Sequence, residues 1–203
     1  MEFDRYEGAY LKQSVRLICG VDEAGRGPLA GPVAVGAVIP DLARLIAAVN
    51  DSKKLSDKKR RIIYPQIIEN AIAYKTVFAE PDEIDRVNIL NATKACMYDA
   101  VTSLFPLPEM VLIDAVKIEL PYPVRALIHG DALSYCIAAA SILAKVERDD
   151  KMIAYAEQYP EYGFEEHKGY GTAHHIAMLK KYGPCPIHRR SFIKNFFPDE
   201  SFR

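Results

Sequence analysis

Asp22 and Glu23 stand side by side after the apolar run VRLICGV, and Asp114 ends a second run, MVLI. A third run, VRALIHG, stops at Asp131. A single acid after a strand commonly caps a turn. Three such positions point further, because α/β sheets gather functional groups at the carboxyl ends of their strands. If these strands are neighbours, four carboxylates converge. Carboxylates that close cannot all stay ionised without a counter-charge. Mg2+ or Mn2+ supplies it, since both prefer oxygen ligands. Two such ions roughly 3.5–4 Å apart cleave phosphodiesters: one activates a water, the other stabilises the departing 3'-oxygen.

The acids run directly into Gly25, Arg26, Gly27, Pro28 and Gly31. Glycines let backbone N–H groups approach sugar and phosphate, although a tight turn between two strands uses the same residues. GRGPLAG is a poor nucleotide phosphate loop. It lacks the Lys–Ser/Thr ending, and no helical pattern follows at once.

Other candidates carry weaker signals. Ser141, Lys145 and Asp149 are spaced by four and share a helix face. An ordinary polar stripe with a Lys–Asp pair explains them, and nothing else supports a Ser–Lys nucleophile. Lys53, Lys54, Lys58, Lys59, Arg60 and Arg61 form a basic cluster, and His188, Arg189 and Arg190 a second. Both fit either a solvated face or phosphate contacts. His167, His174 and His175 match no zinc spacing and read as surface residues. Tyr170, alone, reads as a surface or packing residue.

These groups need elements to hold them. Residues 15–21 and 33–39 read as strands joined by a short loop, hence an antiparallel pair. Helical spacing predicts 57–71, with Ser56 and Asp57 as starters. A strand over 73–80, a helix starting at Pro81 and a second over 88–104 follow. Strands over 110–116 and 124–130 precede a long Ala-rich helix from Ser134 to about Tyr159. A last helix over 172–182 is closed by Gly183. Strands alternating with helices predict a mixed α/β sheet.

Composition narrows the class. Half the residues are apolar, so a sizeable core is available, and a net charge of −1 argues neither for nor against nucleic acid. The four cysteines form no C-x-x-C pair and read as reduced thiols. The N-terminus lacks a signal-peptide pattern, and no apolar run nears the roughly 20 residues of a membrane helix. A cytoplasmic protein is expected.

The stretch GVDEAGRGPLAGPV closely resembles the signature of ribonuclease HII, the type 2 ribonucleases H. NDSKKLSDKKR (50–60), VLIDA (111–115), GDALSYCIAAASILAKVERD (130–149), YGFEEHKGYGT (162–172) and HRRSF (188–192) follow in the same order. The resemblance implies an RNase H-like fold in one domain over 1–203, with a helical extension from about 160. It implies Mg2+- or Mn2+-dependent cutting of RNA in RNA–DNA hybrids and nicking at single ribonucleotides in duplex DNA. The cut would fall 5' of the ribonucleotide and leave 3'-hydroxyl and 5'-phosphate ends.

Carried over, the catalytic tetrad is Asp22, Glu23, Asp114 and Asp131. Gly25, Arg26 and Gly27 would sense the 2'-hydroxyl and its phosphate. Tyr170 would pack on the sugar of the following deoxynucleotide. Ser141 and Lys145 would lie near the substrate backbone, with Asp149 a supporting acid. A monomer is the family default, and the C-terminal SFIKNFFPDESFR matches no sliding-clamp motif. The related ribonuclease HIII carries a long extra N-terminal domain, for which an acid at position 22 leaves no room. Ala115 follows Asp114 where bacterial members often have Gly, a small change at a strand end. Tyr135 and Cys136 occupy a stretch that is often more polar.

Overall fold

The computed structural model describes residues 6–49 and 55–197. Five strands form one sheet in the order β3-β2-β1-β4-β5: β1 Ile18–Ala24, β2 Val33–Pro40, β3 Ala71–Ala79, β4 Met110–Asp114 and β5 Val124–Leu127. β1, β2 and β3 pair antiparallel. β4 runs parallel to β1, and β5 parallel to β4. The expected antiparallel opening pair and mixed sheet are both present.

Helices cover both faces. Residues of one parity (Cys19, Val21, Val35, Ala37) meet Met97 and Val101 of α4 (Ile89–Thr102). The other parity faces the long helix α6 (Tyr135–Gln158), where Ile18 and Leu112 pack on Cys136 and Ile137. α6 lies unusually close to the sheet. A Cβ on Gly20 would sit 2.0 Å from the Cys136 carbonyl carbon, and one on Gly36 2.5 Å from the Ala140 oxygen. Two strand glycines and a run of helix alanines are therefore one packing solution.

The remaining helices are α1 (Glu7–Leu11), α2 (Asp57–Asn70), α3 (Pro81–Val87), α5 (Gly130–Leu133), α7 (Phe164–His167), α8 (Ala173–Tyr182) and α9 (Arg190–Ile193). Ser56 caps α2 by accepting from the Lys59 amide, as its sequence predicts. α1 was not predicted. Its Glu7 is buried and accepts from Ser134 Oγ (2.6 Å) and the Cys136 amide (3.2 Å), so a carboxylate sits at the positive end of α6. Tyr135 is buried too, its hydroxyl accepting from the Ile46 amide.

Two boundaries differ from expectation in ways that matter. β1 begins and ends three residues later than predicted, so Asp22 and Glu23 lie inside it. β5 stops at Leu127, and Asp131 falls in the first turn of α5 rather than at a strand end. His129, in the left-handed conformation at φ 57°, breaks the strand before α5.

Candidate active site

The β1–β4 ladder gives out at Val21↔Ile113, while β1 continues against β2 as far as Ala24. Asp22 and Asp114 are each one residue beyond that last rung. They share the parity of Gly20 and Leu112, which turns them toward α6. Ser141 on α6 hydrogen-bonds the Asp22 carboxylate, and the Glu23 amide donates to its Oδ1 at 2.7 Å. The Gly130 amide donates to Asp114 Oδ1 at 2.7 Å and fixes that side chain.

A cavity of about 310 Å³ opens here, lined by Asp22, Glu23, Asp114, Ser141, Lys145, Arg60, Tyr170 and the segment Gly25–Gly27. Nearly every residue expected at the site meets in this one space. Asp131 is the exception. It is buried next to the amide that holds Asp114 and lies off the cavity wall.

The electrostatics are those of a strained acidic cluster. Burial first, then the carboxylates of Glu23 and Asp114, hold Asp22 well above the ordinary carboxylate range. Arg26 answers Glu23 at 3.3 Å but is itself half exposed. Lys145 pairs with the buried Asp149 at 2.8 Å, so the Lys–Asp pair expected of a polar stripe forms, with Lys145 on the cavity wall. Among the described residues, no three His, Cys, Asp or Glu side chains are close enough to enclose a metal ion unaided. A hard cation held by one or two of these carboxylates would complete its shell from water and phosphate, as Mg2+ commonly does.

The loop after β1 is held by two arginines whose role the sequence did not reveal. Arg189 is fully buried. It donates to the carbonyls of Gly25 (2.6 Å), Arg26 (3.0 Å) and Gly31 (2.9 Å). Arg148 donates to Pro32 (2.9 Å) and reaches the Ala30 and Lys168 carbonyls. Burial, then the neighbouring Arg148 charge, push Arg189 down to about 9, still cationic at neutral pH. Gly25 is obligatory in this clamp. Its φ is 93°, and a Cβ would fall 1.9 Å from Arg148 Nε.

Tyr170 reaches the cavity from the C-terminal segment. The Leu29 amide donates to the Gly169 carbonyl at 2.8 Å, Ala30 bridges to His188, and Arg148 lies 5.9 Å from the Tyr170 ring centroid. The ring is 44% exposed, leaving a face open to the cavity.

Several expectations need correction. Arg189 and His188 are buried, so neither a solvated face nor phosphate contact describes them. His175 is buried as well, stacked on His167 at 4.4 Å. The Phe164 ring and backbone partners give these imidazoles a site inside the fold, and only His174 of the three is exposed. In the basic cluster, Arg60 lines the cavity and Arg61 pairs with Asp57 and Asp150. Lys53 and Lys54 lie outside the described residues. Ala115 adopts φ 50°, so the replacement of Gly there is not conformationally neutral.

A family model described as ribonuclease HII matches residues 19–195. The chain belongs to the ribonuclease HII family. The ribonuclease HII of Caldicellulosiruptor bescii is 52% identical over 190 residues, covering 93% of this chain and 92% of that protein. Among solved structures, the ribonuclease H2 of Pyrococcus horikoshii superposes with a TM-score of 0.75 at 27% identity, over 90% of this chain and 99% of that one. The RNase HII from Archaeoglobus fulgidus, solved in complex with PCNA, gives 0.74 at 25% identity over 89% and 97%. The fold is therefore RNase H-like, and the protein is a ribonuclease H, an endoribonuclease. Among the described residues, no helix is long and apolar enough to cross a membrane.

Proposed function

We propose that this ribonuclease HII cuts RNA in RNA–DNA hybrids and nicks duplex DNA 5' of single embedded ribonucleotides. The products carry 3'-hydroxyl and 5'-phosphate ends. The observation that carries this reading is the meeting of Asp22, Glu23 and Asp114 with Gly25–Gly27 and Tyr170 in one cavity.

Asp22, Glu23, Asp114 and Asp131 would hold Mg2+ or Mn2+, Asp131 from the first turn of α5, beside the Gly130 amide that fixes Asp114. The crowding that holds Asp22 above its ordinary range is what a divalent cation relieves. When bound, such cations supply water activation and charge stabilisation at the departing 3'-oxygen.

The chain's own residues do the rest. Ser141 and the Glu23 amide orient the Asp22 carboxylate. Arg26 is placed to turn from Glu23 to a phosphate. The Gly25–Gly27 backbone, with no side chain at either glycine, lies against the 2'-hydroxyl, the one group that separates RNA from DNA at the site. Lys145 and Arg60 lie along the substrate backbone. Tyr170 packs on the next sugar and reads the RNA-to-DNA junction. Residues from about 160 onward act as a C-terminal extension of a single catalytic domain, and the enzyme works as a cytoplasmic monomer.

Cleavage of an end-labelled duplex carrying one ribonucleotide, with the cut mapped and Mg2+ and Mn2+ varied, tests this reading. A single cut on the 5' side that needs added metal is expected. Intact substrate across both metal series would leave a binding protein of the same fold.

A further inference from the structure

The imidazoles of His175 and His188 lie beneath the Tyr170 loop, outside the cavity, and both are buried. Their bonding fixes where each proton sits. The Cys185 amide donates to His188 Nδ1 at 3.0 Å, so that nitrogen presents a lone pair. His175 Nδ1 is 2.9 Å from the Tyr170 carbonyl oxygen, which can only accept, so that nitrogen carries hydrogen. The two Nε2 atoms are 3.1 Å apart. Neutral His188, bare at Nδ1, supplies the hydrogen between them, and His175 accepts it. The chain of donors runs one way, from Cys185 through His188 and His175 to the Tyr170 carbonyl. His167 adds a parallel tie: its Nδ1 accepts from the Gly169 amide (3.2 Å), and its Nε2 faces the Tyr162 carbonyl (2.9 Å).

We propose that His175 and His188 are positioning residues for junction reading. Two buried imidazoles in opposite tautomers hold the Tyr170 backbone, and through it the ring, at the cavity rim. This rests on the reading of Tyr170 as the residue that packs on the substrate sugar. A proton added at His175 Nε2 sets two N–H groups head-on across the Nε2 pair, and one added at His188 Nδ1 sets an N–H against the Cys185 amide; either breaks the chain. The ionisable groups facing the pair are His167 from α7, His174 on α8, Tyr162 from the turn before α7, and Cys185. Burial pushes the Cys185 thiol up to about 11, so it stays an S–H beside His188 Nδ1 and adds no charge.

Two measurements on the intact protein decide the matter. Long-range 1H–15N spectra, assigned with His175→Gln and His188→Gln, read the tautomers directly. His175 as the Nδ1–H form and His188 as the Nε2–H form are expected. The Nε2–H form at His175 overturns the proposal.

The second measurement is cleavage of the single-ribonucleotide duplex by His175→Leu, His175→Asn and Tyr170→Ala. His175→Asn places an amide donor near the Nδ1 position, whereas His175→Leu has none. A loss of about tenfold in His175→Leu, the scale of one lost buried partner, with recovery in His175→Asn, is expected. Equal loss in both, or no loss in His175→Leu while Tyr170→Ala is impaired, overturns the relay. Unchanged cleavage by Tyr170→Ala would instead remove the reading of Tyr170, leaving the tautomers to decide the relay.

Discussion

Arg189 Nη2 donates to the carbonyl oxygen of Gly25 at 2.6 Å, across 164 residues of chain. A residue from the C-terminal part of the fold thus holds the loop that follows the first two acids. A buried cation bonded to backbone carbonyls fixes that loop beside Asp22 and Glu23.

Arg189→Lys tests that clamp. Lysine keeps the charge but cannot fork to three carbonyls. Urea unfolding should show a loss of about 2–4 kcal/mol, since several buried acceptors lose their donor. Stability within error of wild type would show that the loop holds itself.

Ala115→Gly should stabilise the chain. Ala115 sits at φ 50°, beside Asp114, and donates its amide to the Leu127 carbonyl at 2.9 Å. Relief of left-handed strain, less the greater freedom of glycine in the unfolded chain, gives a net gain of about 0.5–1 kcal/mol. A thermal midpoint that falls instead would place the strain elsewhere.

Asp22→Asn should abolish cleavage while raising stability in metal-free buffer at neutral pH. A carboxylate whose folded pKa is raised destabilises the fold once ionised, so stability falls as pH rises from the unfolded value through the folded one. Removing the charge should return roughly 1–3 kcal/mol, or about 2–4 °C per kcal/mol at this size. A lower midpoint in the variant would mean that the acid cluster is not strained.

Acid should weaken the fold through the buried histidines. Burial pushes His175 and His188 down to about 4, with the facing imidazole a further cause for His188. Unfolded histidines bind protons near pH 6.5 and these do not, so their contribution is full above that value. It is lost as pH falls from about 6.5 to about 4. Urea unfolding at pH 7 and 5 should differ by about 4 kcal/mol from this pair, about 2 for each imidazole, and the difference should shrink in His188→Gln.

Sequence alone made the acids, the antiparallel opening pair and the long helix legible, because each depends on local pattern. Apolar runs ending in acids located Asp22, Glu23 and Asp114, and the family signature supplied Gly25–Gly27 and Tyr170. Asp131 was recognised but misplaced, since nothing in VRALIHG marks the strand break at the left-handed His129. The buried roles of Arg148, Arg189 and His175 were not legible. Arg148 and Arg189 bond backbone carbonyls far away in sequence, and His175 bonds a second buried imidazole and a loop carbonyl, contacts that no local pattern encodes; charge alone made Arg189 read as surface. A retrospective signal exists for Arg148: it falls seven residues after Ser141, on the helix face that carries the site.

If the carboxylates at the β1–β4 edge perform the cut beside a loop that senses the ribose, loss of one of them must stop it. Single-turnover cleavage of a duplex with one ribonucleotide by Asp114→Asn, with binding measured in parallel, tests it most directly. Binding near the wild-type level and no product in either Mg2+ or Mn2+ are expected. Wild-type cleavage by Asp114→Asn would contradict it.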